Sequence, residues 1–157
     1  MRFSKAFTLV EILVVLAVLG ILAAIVTPLL LRYNAVQELR QAQQTLIGQI
    51  DFTRSQAKRT SQSHQLFWTS DVANRTIAFT VNRIYAGTFE VAKKEIKGPI
   101  KITPADIKMN PINFSAPFGR RDVADLEITL EHTTYTDLKS IVRVAGTTGK
   151  VTPLDKF

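Results

Sequence analysis

Residues 12–31 run for twenty residues without a charge. At about 1.5 Å of rise per residue, a helix of that length crosses a bilayer core of roughly 30 Å. The apolar surface begins at Phe7, and one carboxylate, Glu11, interrupts it. A charge at a span centre costs about 2.5–3.5 kcal/mol on insertion scales, so a carboxylate inside such a stretch points to function before structure.

Three readings of this stretch compete. A cleaved secretory signal fits the basic residues in front, Arg2 and Lys5. It does not fit the length of the apolar run, the position of Glu11 or the lack of a small-x-small site behind it. A plain single-span anchor would leave Glu11 near the cytoplasmic interface, with no partner needed. In the third reading the chain is cut after Ala6, so that Phe7 carries a free α-amino group one helical turn before Glu11. Amine and carboxylate attract strongly where the dielectric is low, and pairing offsets the cost of burying them.

Lys5-Ala6-Phe7-Thr8-Leu9-Val10-Glu11, followed by an apolar run with Gly20 and Pro28, resembles the N-terminus of type IV prepilins and type II secretion pseudopilins. The resemblance implies that a prepilin peptidase removes residues 1–6 and methylates Phe7. It implies that Glu11 is the family's assembly glutamate, taking the Phe7 amine of an adjacent subunit and setting axial register. Pro28 matches the family's helix-breaking proline. The family usually has glycine before the cut, where this chain has Ala6. The implied partners are other pilin or pseudopilin subunits, the peptidase and an inner-membrane assembly platform. The implied location is the bacterial inner membrane, single-pass, with the N-terminus cytoplasmic before processing and the C-terminal domain exported.

Gly20 and Pro28 mark a soft point in the helix. Proline removes a backbone donor and crowds the preceding turn, which predicts a kink or local unwinding over residues 24–28. Residues 32–63 continue as an amphipathic helix, because Gln, Ala, Arg, Lys and Leu dominate. Val36, Leu39, Leu46, Ile50 and Ala57 recur on one face. One helix over residues 7–62 would be about 84 Å long.

From His64 the periodicity becomes alternating. Strands are expected at 64–69, 76–81, 84–91, 99–103, 112–115, 126–131, 139–145 and 150–152. The polar segment 70–75, with Asp71 and Asn74, reads as a hairpin turn. Residues 93–99 read as a loop and 104–111 as irregular. Gly146 and Gly149 supply positive φ for a closing hairpin. The expected fold class is α+β, a long helix laid on an antiparallel sheet, with residues 64–157 as one soluble β-rich domain. The segment Ile112-Asn113-Phe114-Ser115-Ala116-Pro117-Phe118-Gly119-Arg120 and the run from Ile141-Val142-Arg143-Val144 to Gly149-Lys150-Val151 resemble GspH/FimT-type minor pseudopilins.

The chain has no cysteine, which excludes a disulfide staple, a thiolate metal site and a cysteine nucleophile. His64 and His132 lack metal-ligand spacing and read as surface or strand residues. Asp122 and Asp125 sit beside Arg120 and Arg121 and read as solvated charges. No phosphate loop is present, because residues 146–149 precede a strand and not a helix. No metal, cofactor or catalytic constellation is expected. The net charge of +7 would fall to +5 without Arg2 and Lys5. Arg120, Arg121, Lys139, Arg143 and Lys150 could form a basic surface for salt-dependent DNA contact. FimT-like members carry a Gly-Arg-x-Arg tail motif for that purpose, and Gly149-Lys150-Val151-Thr152 matches it poorly. A mixed-charge, solvated surface is the favoured reading of these cations.

Overall fold

A computed structural model describes residues 8–104, 107, 111–121 and 124–156, apart from the side chains of 155 and 156. Helix α1 (Leu9–Thr60) is followed by strands β1 (Ser63–Asp71), β2 (Thr76–Ile84), β3 (Thr88–Lys97), β4 (Ile100–Thr103), β5 (Ile112–Phe114), β6 (Leu126–His132), β7 (Lys139–Val144) and β8 (Val151–Lys156). The chain groups into two compact units, Met1–Asn34 and Ala35–Phe157.

In the first unit α1 runs unbroken across Gly20 and Pro28. The unwinding expected over residues 24–28 is absent from this structure. Proline deprives the helix of one donor, and the Thr27 hydroxyl donates to the Ala23 carbonyl at 2.7 Å in the same turn. The segment therefore stays helical with one carbonyl short of a backbone partner.

In the second unit, Ala35, Leu39, Ala42, Gln43, Leu46, Ile50, Thr53 and Ala57 are buried. Their spacing of three and four is the stripe that the sequence pattern predicts. Lys58 and Arg59 occupy the last turn, where cations favour the negative end of the helix. Ser61 then takes a left-handed φ of 52°, which stops the helix.

Residues 35–60 share one core with two four-stranded antiparallel sheets, ordered β3-β2-β1-β5 and β4-β6-β7-β8. This is the expected α+β arrangement of a long helix on antiparallel sheet, and the strands divide into two sheets because Ile100 and Ile102 of β4 pair with β6 and not with the first sheet. Inward residues alternate along β1 (His64, Leu66, Trp68) and β2 (Ile77, Phe79, Val81). Trp68 lies directly opposite Phe79, with ring centroids 6.0 Å apart, and its indole N–H donates to the Pro104 carbonyl at 2.8 Å. Asp71 closes the β1–β2 hairpin by accepting from the Asn74 backbone and side chain, as the turn composition suggests. The backbone donor, then the side-chain donor, hold the Asp71 carboxyl below the usual range.

Several strand boundaries differ from expectation. Residues 85–87 form the turn into β3, with Ala86 and Gly87 at positive φ. Lys93, Lys94 and Glu95, expected in a loop, lie within β3. An edge strand can carry charge on both faces, so its sequence loses the alternation of a half-buried strand. β8 extends to Lys156 and tolerates Pro153 because it too is an edge.

Candidate assembly site on the N-terminal helix

Thr8 precedes α1, and its Oγ1 accepts the Glu11 backbone N–H at 3.2 Å. Its carbonyl accepts the Ile12 N–H at 3.3 Å. Thr8 is thus the N-cap, and Thr8-x-x-Glu11 has the spacing of a capping box. The pattern is legible in the sequence as Thr8-Leu9-Val10-Glu11 ahead of the apolar run. The cap fixes the backbone at Glu11 and leaves the carboxylate exposed at the positive end of the helix dipole. Among the described residues that carboxylate makes no hydrogen bond or ion pair. Ala6 and Phe7, expected to flank the cleavage point, lie outside the described residues.

Past Glu11 the helix is apolar all round. Its large side chains from Leu9 to Leu31 are 46–76% exposed within the chain. The most apolar 18-residue window has a mean hydropathy of 3.1. Each such side chain gains about 1.5–3 kcal/mol when removed from water, so this surface requires lipid or other protein to cover it. Gly20 has open space around its Cα.

The five cations that could have formed one basic surface are divided by burial and ion pairing, in keeping with the mixed-charge reading. Arg121 is buried, and its Nη1 donates to the Val144 carbonyl at 3.2 Å. Burial lowers its pKa, partly countered by the charge of Asp125. Arg121 is therefore a strut between loop and sheet and is not available to phosphates. Arg143 is spent on Asp125, through Nη2 at 2.8 Å and Nε at 3.0 Å. Lys139 pairs with Glu131 across β6 and β7 at 3.4 Å. Arg120 and Lys150 remain exposed, on loops that meet where Gly149 approaches Gly119. The Arg120 guanidinium lies 5.4 Å from the ring centroid of exposed Phe118. Asp122 lies outside the described residues. Asp125, expected to be a solvated charge, accepts the Gly146 N–H at 2.8 Å as well as the Arg143 fork. Those bonds, the Gly146 donor first, hold its carboxyl below the usual range.

His64 and His132, read from sequence as surface or strand residues, are both buried. His64 Nδ1 lies 2.9 Å from the Gln62 carbonyl. His132 Nδ1 accepts the backbone N–H groups of Thr134 and Tyr135 at 3.2 and 3.1 Å. That bonding leaves the proton on Nε2, which faces Glu38 at 3.4 Å. Both rings are satisfied structural groups. Among the described residues no group of three or more His, Cys, Asp or Glu could hold a metal ion.

Comparison with known proteins follows the same division. Residues 1–27 match the prokaryotic N-terminal methylation motif. A fimbrial protein, EcpC, of Eikenella corrodens is 34% identical over 102 residues, 65% of this chain; the chain spans 63% of that relative's length. The minor pseudopilin EpsH from the type 2 secretion system of Vibrio cholerae has a similar fold. That likeness has a TM-score of 0.54 at 14% identity, and it covers 75% of this chain and 97% of EpsH. The motif sits on the capped, unshielded helix, and the fold likeness spans most of the chain. In its N-terminal methylation motif, its fimbrial relative and its fold, the chain is similar to type IV pilins and pseudopilins.

Proposed function

We propose that this chain is a minor pilin or pseudopilin, a structural subunit of a type IV pilus or type II secretion pseudopilus. The observation that carries the reading is the apolar helix with no cover of its own, headed by an exposed Glu11 and bearing the methylation motif. The helix anchors the subunit in the inner membrane, and residues 35–157 are exported. Prepilin peptidase cuts between Ala6 and Phe7 and methylates Phe7. The subunit then leaves the bilayer sideways, exchanging lipid for neighbouring helices. Glu11, its backbone held by the Thr8 cap, takes the Phe7 amine of an adjacent subunit and sets axial register. The proline that α1 tolerates at position 28, with open space at Gly20, is where the helix yields during packing.

The test is the N-terminal residue and mass of the protein from membranes, with and without prepilin peptidase. A methylated Phe7 that depends on the peptidase is expected. An intact leader would instead make the chain an uncleaved, single-span anchored binding protein. Glu11→Gln should insert normally yet fail to enter filaments, and normal incorporation would remove the register argument.

A second reading, a DNA-receiving minor pilin, draws on exposed Phe118 stacked with Arg120. Burial of Arg121 and the ion pairs of Arg143 and Lys139 leave it few free cations. It predicts DNA affinity that falls steeply with salt and that Arg120→Ala weakens.

A further inference from the structure

Outside the N-terminal helix, exposed apolar surface is concentrated on β3 and the turn that feeds it. Ile84, Tyr85, Phe89 and Val91 are 41%, 62%, 51% and 42% exposed. Among the described residues of 35–157, the other large apolar residues exposed, Val72, Phe118 and Leu154, are scattered singly, which is ordinary for a protein surface. β3 is also the edge of its sheet and, at ten residues, longer than the other edge strands β4, β5 and β8. On its far side no strand pairs with it among the described residues. An edge of that length is a template for an extended chain.

The strand also specifies what it would accept. Its register against β2 skips Val91, a bulge that twists the edge and discourages indiscriminate pairing. Up to the bulge, Phe89 and Val91 present apolar side chains on either side of Glu90. The half after the bulge carries Lys93, Lys94 and Lys97, and Glu95 compensates Lys93 at 3.2 Å. Among the described residues, Lys94 and Lys97 lie in no ion pair. Two copies pairing antiparallel about the strand centre would set Glu90 opposite Glu95 and Val91 opposite Lys94, which like-charge repulsion and mismatch disfavour. We propose that β3 is a docking strand that takes up, by strand addition, an extended segment of a different protein. That segment brings apolar side chains to Phe89 and Val91 and carboxylates to Lys94 and Lys97.

The test uses the full chain in detergent micelles and two labelled ten-residue peptides, followed by fluorescence anisotropy. Both peptides are extended and apolar over one half. The other half alternates valine with glutamate in one and valine with lysine in the other. Saturable binding of the glutamate peptide, at least tenfold tighter than the lysine peptide, is expected. Phe89→Ser should weaken it about tenfold, and Lys94→Glu with Lys97→Glu should reverse the preference. Both lysines are exposed, so the charge-reversed variant keeps its core; near-ultraviolet circular dichroism of Trp68 verifies this. Equal affinity for the two peptides overturns the proposal, as does binding no greater than to empty micelles. Sedimentation showing a dimer that the charge-reversed variant disrupts overturns it as well, because a second copy would then own the edge.

Discussion

Gly149→Ala tests how tightly the closing hairpin is seated on the core. A Cβ at Gly149 would lie 2.7 Å from Phe114 Cε1 and 3.3 Å from Cδ1. Phe114 is fully buried, so its ring has nowhere to swing. Gly149 also holds a φ of 62°, a region that costs a residue with a Cβ about 1–2 kcal/mol. Overpacking a filled core adds about 1–3 kcal/mol. The sum, about 2–5 kcal/mol, is a large share of the 5–15 kcal/mol typical of a folded domain. At roughly 3–5 °C per kcal/mol for a unit of this size, the melting temperature should drop by about 10–20 °C. The assay is thermal unfolding of the full chain in detergent, read by near-ultraviolet circular dichroism at Trp68, the one tryptophan. Adding Phe114→Leu removes the clash but not the strained φ, so the double variant should be more stable than the sum of the singles by about 1 kcal/mol or more. Gly48→Ala is the contrasting control: that helical glycine has nothing within 4 Å of an added Cβ, and the change should stabilise by up to about 1 kcal/mol. A Gly149→Ala protein within about 0.5 kcal/mol of wild type would refute the reasoning, as would strict additivity with Phe114→Leu.

Two further changes probe the polar ties. Asp125 has a folded pKa below its unfolded value, so its contribution is present above about pH 4 and lost as pH falls through the folded value. Asp125→Asn should therefore melt lower than wild type at neutral pH and converge with it in acid; parallel curves at every pH would count against the tie to Gly146 and Arg143. His132→Phe keeps a ring beside Tyr135 but strands the Thr134 and Tyr135 N–H groups, a loss of about 1–3 kcal/mol in urea unfolding. His132→Asn, whose carbonyl can stand in for Nδ1, should recover part of that; equal loss in both variants would point to packing alone.

The sequence made the helix and the half-buried strands readable for one reason: each shows a single wet face. Leu126, Ile128 and Leu130 alternate with Glu127 and Thr129, and β6 appears where expected. The helical stripe from Leu39 to Ala57 was equally plain. β3 was not, because an edge strand exposes both faces and its lysines look like a loop. Both histidines lie in strands, as one of the two sequence readings had it; their burial is not legible because their partners are backbone groups, Gln62 O and the Thr134 and Tyr135 N–H groups, which composition does not display. The individual partners of Arg121 and Arg143 were not legible, because they lie 23 and 18 residues away in sequence. Only Gly149, and not Gly146, needed positive φ; Gly146 serves through its N–H.

The chain threads back and forth between its sheets. β3 belongs to the first, β4 to the second, β5 returns to the first and β6 leaves again. Neither sheet is therefore a continuous piece of chain that can be peeled away by itself. The three-residue β5 is a latch: it is zipped to β1 through His64, Gln65 and Leu66, while the chain on either side of it runs to the other sheet. A pull entering through residues 35–60 loads both sheets in parallel, because both contribute to the core under that helix. Pulled through residues 35–60, the domain, which has no cysteine cross-link, is expected to yield all at once and not strand by strand.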